Sequence, residues 1–179
     1  MGPDDQLQEL VRRCQNGEHA AFEEVFRQFQ PRLRYFLRRL DADNDHVDDT
    51  LQNMWVKVVR NIRSLRDSKA FVAWLYRIAR NEVYGRGRAR DPFVELRDEH
   101  LELPADDAEP TFTDEDIGRL HRELVRLSPP HREVLTLCFL EELPQGQIAE
   151  ILGIRANTVR TRIYYAKQAL RKAMEKSHE

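Results

Sequence analysis

The stretch from Gln147 to Leu170 limits the possible folds of this chain more than any other segment of it. Its spacing is that of two helices joined by a tight turn, because Gly153 follows the small residue Ala149 by four positions and precedes Val159 by six. A small residue lets two helices cross closely, and glycine accepts backbone angles that a side chain would resist. Val159 starts an apolar stripe at helical spacing. The stripe continues through Ile163, Ala166 and Leu170. These features predict a helix-turn-helix.

The opposite face of the second of these helices is polar and cationic. It carries Asn157, Arg160, Thr161, Tyr164 and Gln168. A helix with such a face fits the major groove of DNA, where Arg pairs well with guanine and Asn with adenine. Any short helical hairpin has the same apolar periodicity, so the basic outer face, and not the spacing alone, favours DNA binding.

Apolar residues also recur at helical spacing through most of the remaining chain. Four amphipathic helices are expected in the first 90 residues. The second is expected to bend at Pro31, and Gly85 and Gly87 are expected to end the fourth. The four helices begin near Leu7, Phe22, Asp45 and Ser68. Such a set can close a bundle around one core.

Charge divides the chain into three segments, although the formal net charge is only −2. Residues 1–90 hold 17 Lys and Arg against 13 Asp and Glu, and residues 117–179 hold 11 against 7. Residues 91–116 hold 11 acidic side chains, three prolines and one Arg. Such a segment is typical of a linker, and the cationic blocks beside it suggest polyanionic partners. We therefore predict an all-α chain in which two small helical domains, 1–90 and 117–179, are joined by an acidic flexible linker at 91–116.

Several function classes lack the residues that they need. Cys14 and Cys138 lie at apolar helical positions and are expected to be reduced, and the histidines show no metal-ligand spacing. There is no nucleophile–base constellation and no Gly-rich phosphate loop, so no enzyme, cofactor, metal or small-molecule substrate is predicted. The first residues do not resemble a signal peptide, and no run approaches the roughly 18 apolar residues of a membrane span. We therefore expect a cytoplasmic protein.

Two of the N-terminal helices have candidate binding faces. The outward face of the third is expected to hold Asp49, Gln52, Asn53, Val56 and Arg60, which an ordinary solvated helix would also show. The fourth interleaves cations with rings. Its outward face is expected to hold Lys69, Tyr76, Arg77, Arg80 and Tyr84. Single-stranded bases stack on such rings at about 1–3 kcal/mol each. A basic surface with rings packed at its edge would give the same pattern.

Three segments, taken in order, resemble a bacterial sigma factor. They read VDDTLQNMWVKVVRNI, AFVAWLYRIARNEV and LSPPHREVLTLCFLEELPQGQIAEILGIRANTVRTRIYYAKQALRK. Their order and spacing are similar to those of the extracytoplasmic-function (ECF) group of the sigma-70 family, which keeps regions 2 and 4. The resemblance covers nearly the whole chain outside the linker. It implies a transcription initiation factor with a four-helix region 2 bundle and a helix-turn-helix region 4.

The resemblance also implies a role for each face. The D-x-x-Q part of the third helix docks on the β′ clamp helices of RNA polymerase in the family. This implies Asp49 and Gln52, with Asp48, Asn53 and Arg60 beside them. The fourth helix contacts and melts the minus-10 element in the family. This implies Lys69, Trp74, Tyr76, Arg77, Arg80 and Asn81. Helical rotation places Trp74 on the inner side, so it is expected to be mainly structural, and Tyr84 joins the predicted minus-10 set from the outward face. The loop from Arg63 to Ser68 is implied to shape a pocket for a flipped base.

The second helix of the helix-turn-helix reads the minus-35 element in the family. This implies Arg155, Asn157, Thr158, Arg160, Thr161 and Tyr164. The implied partners are core RNA polymerase (β′ clamp helices and β flap), promoter DNA and an anti-sigma factor, and the free chain is expected to be a monomer. The acidic linker is expected either to occupy the RNA channel of the polymerase or to act as a spacer.

The chain departs from the family in two places. Gly85 stands where the family commonly has Asp, so contacts to duplex DNA at that helix end are in doubt. Tyr165-Ala166-Lys167 replaces a frequent Arg-Ala-Arg run, so fewer phosphate contacts are expected there. The alternative interpretation is a stand-alone helix-turn-helix regulator with an N-terminal sensor or dimerisation domain. Such a regulator would bind its operator tightly without polymerase.

Overall fold

The computed structural model describes residues 2–40, 46–86 and 123–176, and those residues contain helices and turns but no strand. They form two compact units. Residues 2–40 and 46–86 belong to the first, and residues 123–149 and 153–176 belong to the second. The predicted all-α fold class is confirmed. The linker at 91–116 lies outside the described residues, and the domain bounds stay a prediction.

The first unit contains four α-helices: α1 (Pro3–Gln15), α2 (His19–Leu40), α3 (Val47–Asn61) and α4 (Phe71–Arg86). Two short 3-10 turns, Ile62–Ser64 and Ser68–Ala70, connect α3 to α4. α2 continues through Pro31 without a break. α4 also continues through Gly85 to Arg86, so the expectation that Gly85 ends this helix is wrong.

The ends of α1 follow the rules of helix capping. Asp4 and Asp5 lie in its first turn and Arg12 and Arg13 in its last, which suits the helix dipole at both ends. The carboxylate of Asp5 accepts a hydrogen bond of 3.1 Å from the backbone N–H of Gly2. Gly17 follows the helix with φ +90°, a left-handed conformation that turns the chain into α2.

The predicted four-helix core is present in this unit. α2 packs on α4 through two edge-to-face ring pairs, Phe29 with Phe71 at 5.6 Å and Phe36 with Tyr76 at 5.1 Å. Such pairs stabilise by about 0.5–1.5 kcal/mol beyond the apolar area that they bury. The largest fully buried side chains here are Tyr76, Phe29, Phe36, Phe71, Leu33, Leu37, Leu51, Met54 and Leu75.

A charged pair also joins two helices of this bundle. Lys57 of α3 contacts the carboxylate of Glu82, a buried residue of α4. Because Glu82 is buried, its carboxylate depends on that partner. α3 and α4 are thus held together by apolar packing and by this ion pair.

The second unit contains the predicted helix-turn-helix. Residues 123–126 are helical, and α5 (Pro129–Leu135), a π-helical turn (Thr136–Leu140), α6 (Gln145–Leu152) and α7 (Ala156–Lys176) follow. Ser128 is the N-cap of α5, as expected, although its side chain makes no capping hydrogen bond. Gly153 ends α6 in the left-handed conformation at φ +67°. Val159, Ile163, Ala166 and Leu170 are all buried, as the apolar stripe predicts.

Gly153→Ala is expected to destabilise the protein by about 1 kcal/mol, because a left-handed backbone is unfavourable for an L side chain. A Cβ at this position would meet nothing within 4 Å, so the cost is conformational and not steric. Gly146→Ala in α6 is the matched control, since Gly146 lacks a positive φ and also has open space around it. Urea unfolding of the three proteins measures the effect. Equal stability of the two variants would contradict this account.

Candidate functional site

The outer face of α3 is as polar and as accessible as the sequence predicts. Its exposed side chains include Asp48, Asp49, Gln52, Asn53 and Arg60. Asp48 forms an ion pair with Arg34 of α2. Both side chains remain partly solvated, so the pair adds little to stability. α3 therefore presents a row of polar groups that a partner can reach.

An apolar groove between α2 and α3 lies beside this row. Phe26, Val56 and Val59 line it and are 41%, 42% and 54% exposed. At its floor Trp55 lies 5.0 Å from the ring of Phe26 and donates a hydrogen bond of 2.5 Å to Gln30. Exposed apolar side chains rimmed by polar ones are typical of a protein-binding surface. The sequence did not predict Phe26 and Val59 as part of a binding surface, although the position of Val59 outside the apolar stripe of α3 indicates exposure.

The outer face of α4 differs from the prediction at one ring. Tyr76 is 0% exposed, so its expected outward position is wrong. It packs edge to face on Phe36, because α4 is enclosed by α2 and α3 around most of its circumference. Trp74, expected on the inner side, is half-buried with its ring 6.1 Å from that of Phe71.

The other predicted residues of α4 stay accessible. Lys69, Arg77 and Asn81 are exposed, and Arg80 and Tyr84 are half-buried. The Arg80 guanidinium lies 4.7 Å from the centre of the Tyr84 ring. A stacked guanidinium and ring offer flat surfaces of the kind on which bases stack.

The predicted residues in and just before α7 are accessible to different degrees. Arg155, Asn157 and Arg160 are exposed, and Thr158, Thr161 and Tyr164 are half-buried. The Thr161 hydroxyl donates a hydrogen bond of 3.0 Å to the carbonyl of Asn157, one turn earlier. This bond leaves the lone pairs of the hydroxyl free to accept from a ligand.

Comparisons with known proteins identify the family. Residues 25–92 match the family model of sigma-70 region 2, and residues 117–170 match that of sigma-70 region 4. The RNA polymerase sigma-H factor of Pseudomonas aeruginosa is 30% identical, over 96% of this chain and 95% of that protein. The ECF RNA polymerase sigma-E factor of Haemophilus influenzae is 31% identical, over 91% of this chain and 92% of that protein. The chain belongs to the ECF group of the sigma-70 family.

As a member of this family, the sigma factor directs core RNA polymerase to promoter DNA for transcription initiation. Two solved structures share its fold. One shows CnrH in complex with the cytosolic domain of CnrY, with a TM-score of 0.70 at 22% identity over 94% of this chain and 97% of that one. The other shows the sigma factor RpoE of Bartonella quintana with the anti-sigma factor NepR, with a TM-score of 0.66 at 24% identity over 86% and 96% of the two chains.

Three further observations concern only the described residues of the sigma factor. Cys14 and Cys138, both within the described residues, are not joined in a disulfide. Burial raises the pKa of the Cys14 thiol to about 11, which makes it a poor nucleophile. In residues 2–40, 46–86 and 123–176, no three His, Cys, Asp or Glu side chains are grouped so as to hold a metal ion. None of the helices in those stretches is long and apolar enough to cross a membrane.

Two arginines among the described residues, Arg132 and Arg162, are buried although the sequence did not predict it. Arg162 of α7 is 5% exposed, and none of its guanidinium nitrogens has a hydrogen-bond partner in the part of the chain that the structure describes. Arg162 lies at the edge of the apolar stripe of α7, and this position is the sequence signal that could have predicted its burial. Burial lowers the pKa of His131, on α5, and the charge of Arg162 lowers it further.

This lowered pKa predicts a pH dependence of stability. Folded His131 binds protons less readily than unfolded His131, because its pKa in the folded protein is lowered from 6.5. Its contribution to the free energy of unfolding is therefore complete above pH 6.5 and is lost as the pH falls from 6.5 towards the folded pKa. The loss is expected to stay below about 1 kcal/mol, since the imidazole is partly solvated. Urea unfolding at pH 7.5 and 5.5, for wild type and His131→Gln, isolates the effect. An equal loss of stability in both proteins would contradict it.

Proposed function

We propose that the sigma factor divides its work among three surfaces. The outer face of α3, with the groove beside it, binds core RNA polymerase. The outer face of α4 and the loop before it capture the melted minus-10 strand, and α7 reads the minus-35 element. The observation that carries this proposal is that all three faces are accessible on helices that match regions 2 and 4. The protein is then an initiation factor without catalysis of its own.

The polymerase surface combines two kinds of contact. Asp49, Gln52, Asn53 and Arg60 offer hydrogen bonds and charge, which give register and specificity. Phe26, Val56 and Val59 offer apolar area next to them, which gives affinity when it is covered. Asp48 belongs to the same row, but a partner must compete with Arg34 for it.

The proposed minus-10 surface contains one residue fewer than the sequence predicts. Tyr76 leaves the proposed set, because a fully buried ring offers no face for a base to stack on. Lys69, Arg77 and Asn81 remain to hold phosphates and base edges, and the stacked pair of Arg80 and Tyr84 offers flat surfaces.

The minus-35 surface is the outer face of α7. Arg160 and Asn157 are exposed and are the proposed contacts to base edges, since Arg suits guanine and Asn suits adenine. Arg155, Thr158, Thr161 and Tyr164 flank them. Arg171 and Lys172 are exposed further along the helix and are proposed at most as phosphate contacts.

Further partners follow from the family and stay proposals. An anti-sigma factor is proposed, as in the Bartonella quintana complex. The β flap of the polymerase is proposed to bind the second unit. The free protein is proposed to be a cytoplasmic monomer, with region 2 at 1–90, the linker at 91–116 and region 4 at 117–179. The linker is proposed either to occupy the RNA channel of the polymerase or to act as a spacer.

Binding to purified bacterial core RNA polymerase tests the proposed function, followed by selection from a duplex library with randomised minus-10 and minus-35 blocks. We expect the chain to bind the polymerase and to enrich defined sequences only in its presence. The free chain should bind duplex DNA weakly and lose that binding as salt rises. Tight, sequence-specific duplex binding without polymerase would contradict the proposal and favour the stand-alone regulator.

Arg160→Ala is expected to relax the minus-35 preference while polymerase binding stays intact. A good Arg–guanine pair discriminates by about 1–3 kcal/mol, so enrichment at one base position should fall by roughly tenfold or more. Arg171→Ala is the matched control, because Arg171 is also exposed on the same helix. It should weaken binding to all sequences alike or leave it unchanged. Loss of polymerase binding by Arg160→Ala would refute the division of work between the two units.

A further inference from the structure

We propose that Gln15 positions the loop between α3 and α4 and thereby sets the base preference of the minus-10 surface. Gln15 is the last residue of α1, which precedes the stretch 25–92 that matches region 2. This inference rests on the proposed function, because it concerns the same minus-10 surface. It assigns to α1 a part in promoter selection without any contact to DNA.

The geometry of the Gln15 amide is specific. Its Nε2 donates to the carbonyl of Ile62 at 3.0 Å and to the carbonyl of Leu65 at 2.7 Å. An amide nitrogen carries two hydrogens, so one side chain satisfies both acceptors. The opposite orientation would place the amide oxygen against two carbonyl oxygens and is unfavourable. The amide therefore bridges both ends of the first 3-10 turn.

The loop is held at two points. The first is the turn Ile62–Ser64, where the Ile62 carbonyl also accepts a hydrogen bond of 3.2 Å from the N–H of Leu65. The second is the turn Ser68–Ala70, where Asp67 accepts a hydrogen bond of 2.9 Å from the N–H of Lys69. Asp67 belongs to the loop itself, whereas Gln15 comes from another helix. Gln15 thus ties the start of the loop to the body of the bundle.

The turn after α1 reinforces this tie. A Cβ on Gly17 would lie 3.3 Å from Nη2 of Arg63, so the Arg63 side chain extends across the glycine. The C-terminal end of α1 therefore contacts the loop twice, through the side-chain amide of Gln15 and through the backbone of Gly17. Between the two held points, Arg66 is exposed and available to a nucleic-acid strand.

Gln15 acts behind the loop and not at its surface. Its side chain is half-buried, and both of its bonds end on backbone atoms. It is therefore a positioning residue, and its loss should shift the loop without removing a contact to DNA. Binding loops lose selectivity when the groups that support them are removed.

Two variants test the role. Gln15→Glu keeps the shape but replaces the donor by a carboxylate that repels both carbonyls, and Gln15→Met keeps the length without any polar group. Gln6→Glu, at an exposed position of α1, is the matched control for the added charge. Each chain is combined with core RNA polymerase and selected on the duplex library with randomised minus-10 and minus-35 blocks. Thermal unfolding is followed in parallel.

Both Gln15 variants are expected to bind the polymerase within about twofold of wild type and to keep the minus-35 preference. Their enrichment of the preferred minus-10 base should fall by about tenfold, and the control should behave as wild type. An unchanged minus-10 preference in Gln15→Met would overturn the inference. So would an equal loss of polymerase binding and of both preferences, which would mean a general structural role. Failure of wild type to bind the polymerase would instead contradict the proposed function.

Discussion

Replacing Asp49 and Gln52 of the sigma factor by arginine is expected to abolish binding to core RNA polymerase while the fold stays intact. Both residues are exposed on α3, so long side chains at these positions meet no core residue. The double change adds two positive charges to one face and removes one negative charge together with its carboxylate acceptor, a net change of +3. Like charges or unpaired groups across an interface cost several kcal/mol, so the Kd should rise by at least about 100-fold.

Fluorescence anisotropy with labelled core polymerase measures this effect, and circular dichroism checks the fold. Glu24→Arg with Gln28→Arg is the matched control, because both positions are exposed on α2 and the charge change is the same. The control should bind within about twofold of wild type, as exposed charges away from an interface contribute little. If the α3 variant and the control bind equally well, the polymerase surface lies elsewhere.

The second large effect is expected at Tyr76. Tyr76→Ala should destabilise the first unit by about 3–5 kcal/mol, the range for removing a buried aromatic ring. Tyr76 is fully buried and meets Phe36 edge to face, so the substitution removes ring contacts from the centre of the bundle. Both tryptophans, Trp55 and Trp74, lie in this unit, so urea unfolding followed by tryptophan fluorescence reports on it directly.

Comparison of Tyr84→Ala with Tyr76→Ala distinguishes a tyrosine that binds DNA from one that stabilises the core. Tyr84 is half-buried and stacks under Arg80, so its loss should cost less than about 1.5 kcal/mol. It should nevertheless weaken capture of a minus-10 single strand by the polymerase complex, since each stacked base contributes about 1–3 kcal/mol. The opposite pattern, a stable Tyr76 variant with poor strand capture, would restore Tyr76 to the DNA surface.

The helix-turn-helix was predictable from the sequence because its signals are local. Gly153 marks the turn through its own backbone, and Val159 and Ile163 mark the buried side of α7 through their spacing. The outer face then follows from helical geometry alone. The exposed row on α3 was predictable for the same reason, since one side of that helix is clearly apolar.

The face of α4 was harder to predict, because the helix is buried around most of its circumference. Tyr76 is amphipathic and occurs equally well in a core or at a surface, so its type does not decide its position. Its burial depends on Phe36, a residue of α2 that is distant in sequence. The spacing of apolar residues along α4 alone does not reveal the contact between Tyr76 and Phe36.

Gln15 and Arg162 were missed for a related reason. The two carbonyl acceptors of Gln15 are 47 and 50 residues away in the chain, and backbone groups leave no sign in a sequence. Arg162 resembles Arg160 in type and lies two positions further along α7, yet one is buried and the other exposed. Such differences depend on the tertiary packing of neighbouring helices.

The ion pair between Lys57 and Glu82 has a consequence for how a promoter is approached. Together with apolar packing, it links α3, which is proposed to meet the polymerase, to α4, which is proposed to meet the DNA. A close-packed helix pair of this kind transmits displacement and does not absorb it. Under the proposed division of surfaces, a displacement of α3 on the polymerase would therefore move α4 as well. The position at which the polymerase binds α3 would then influence the position at which α4 meets the DNA strand.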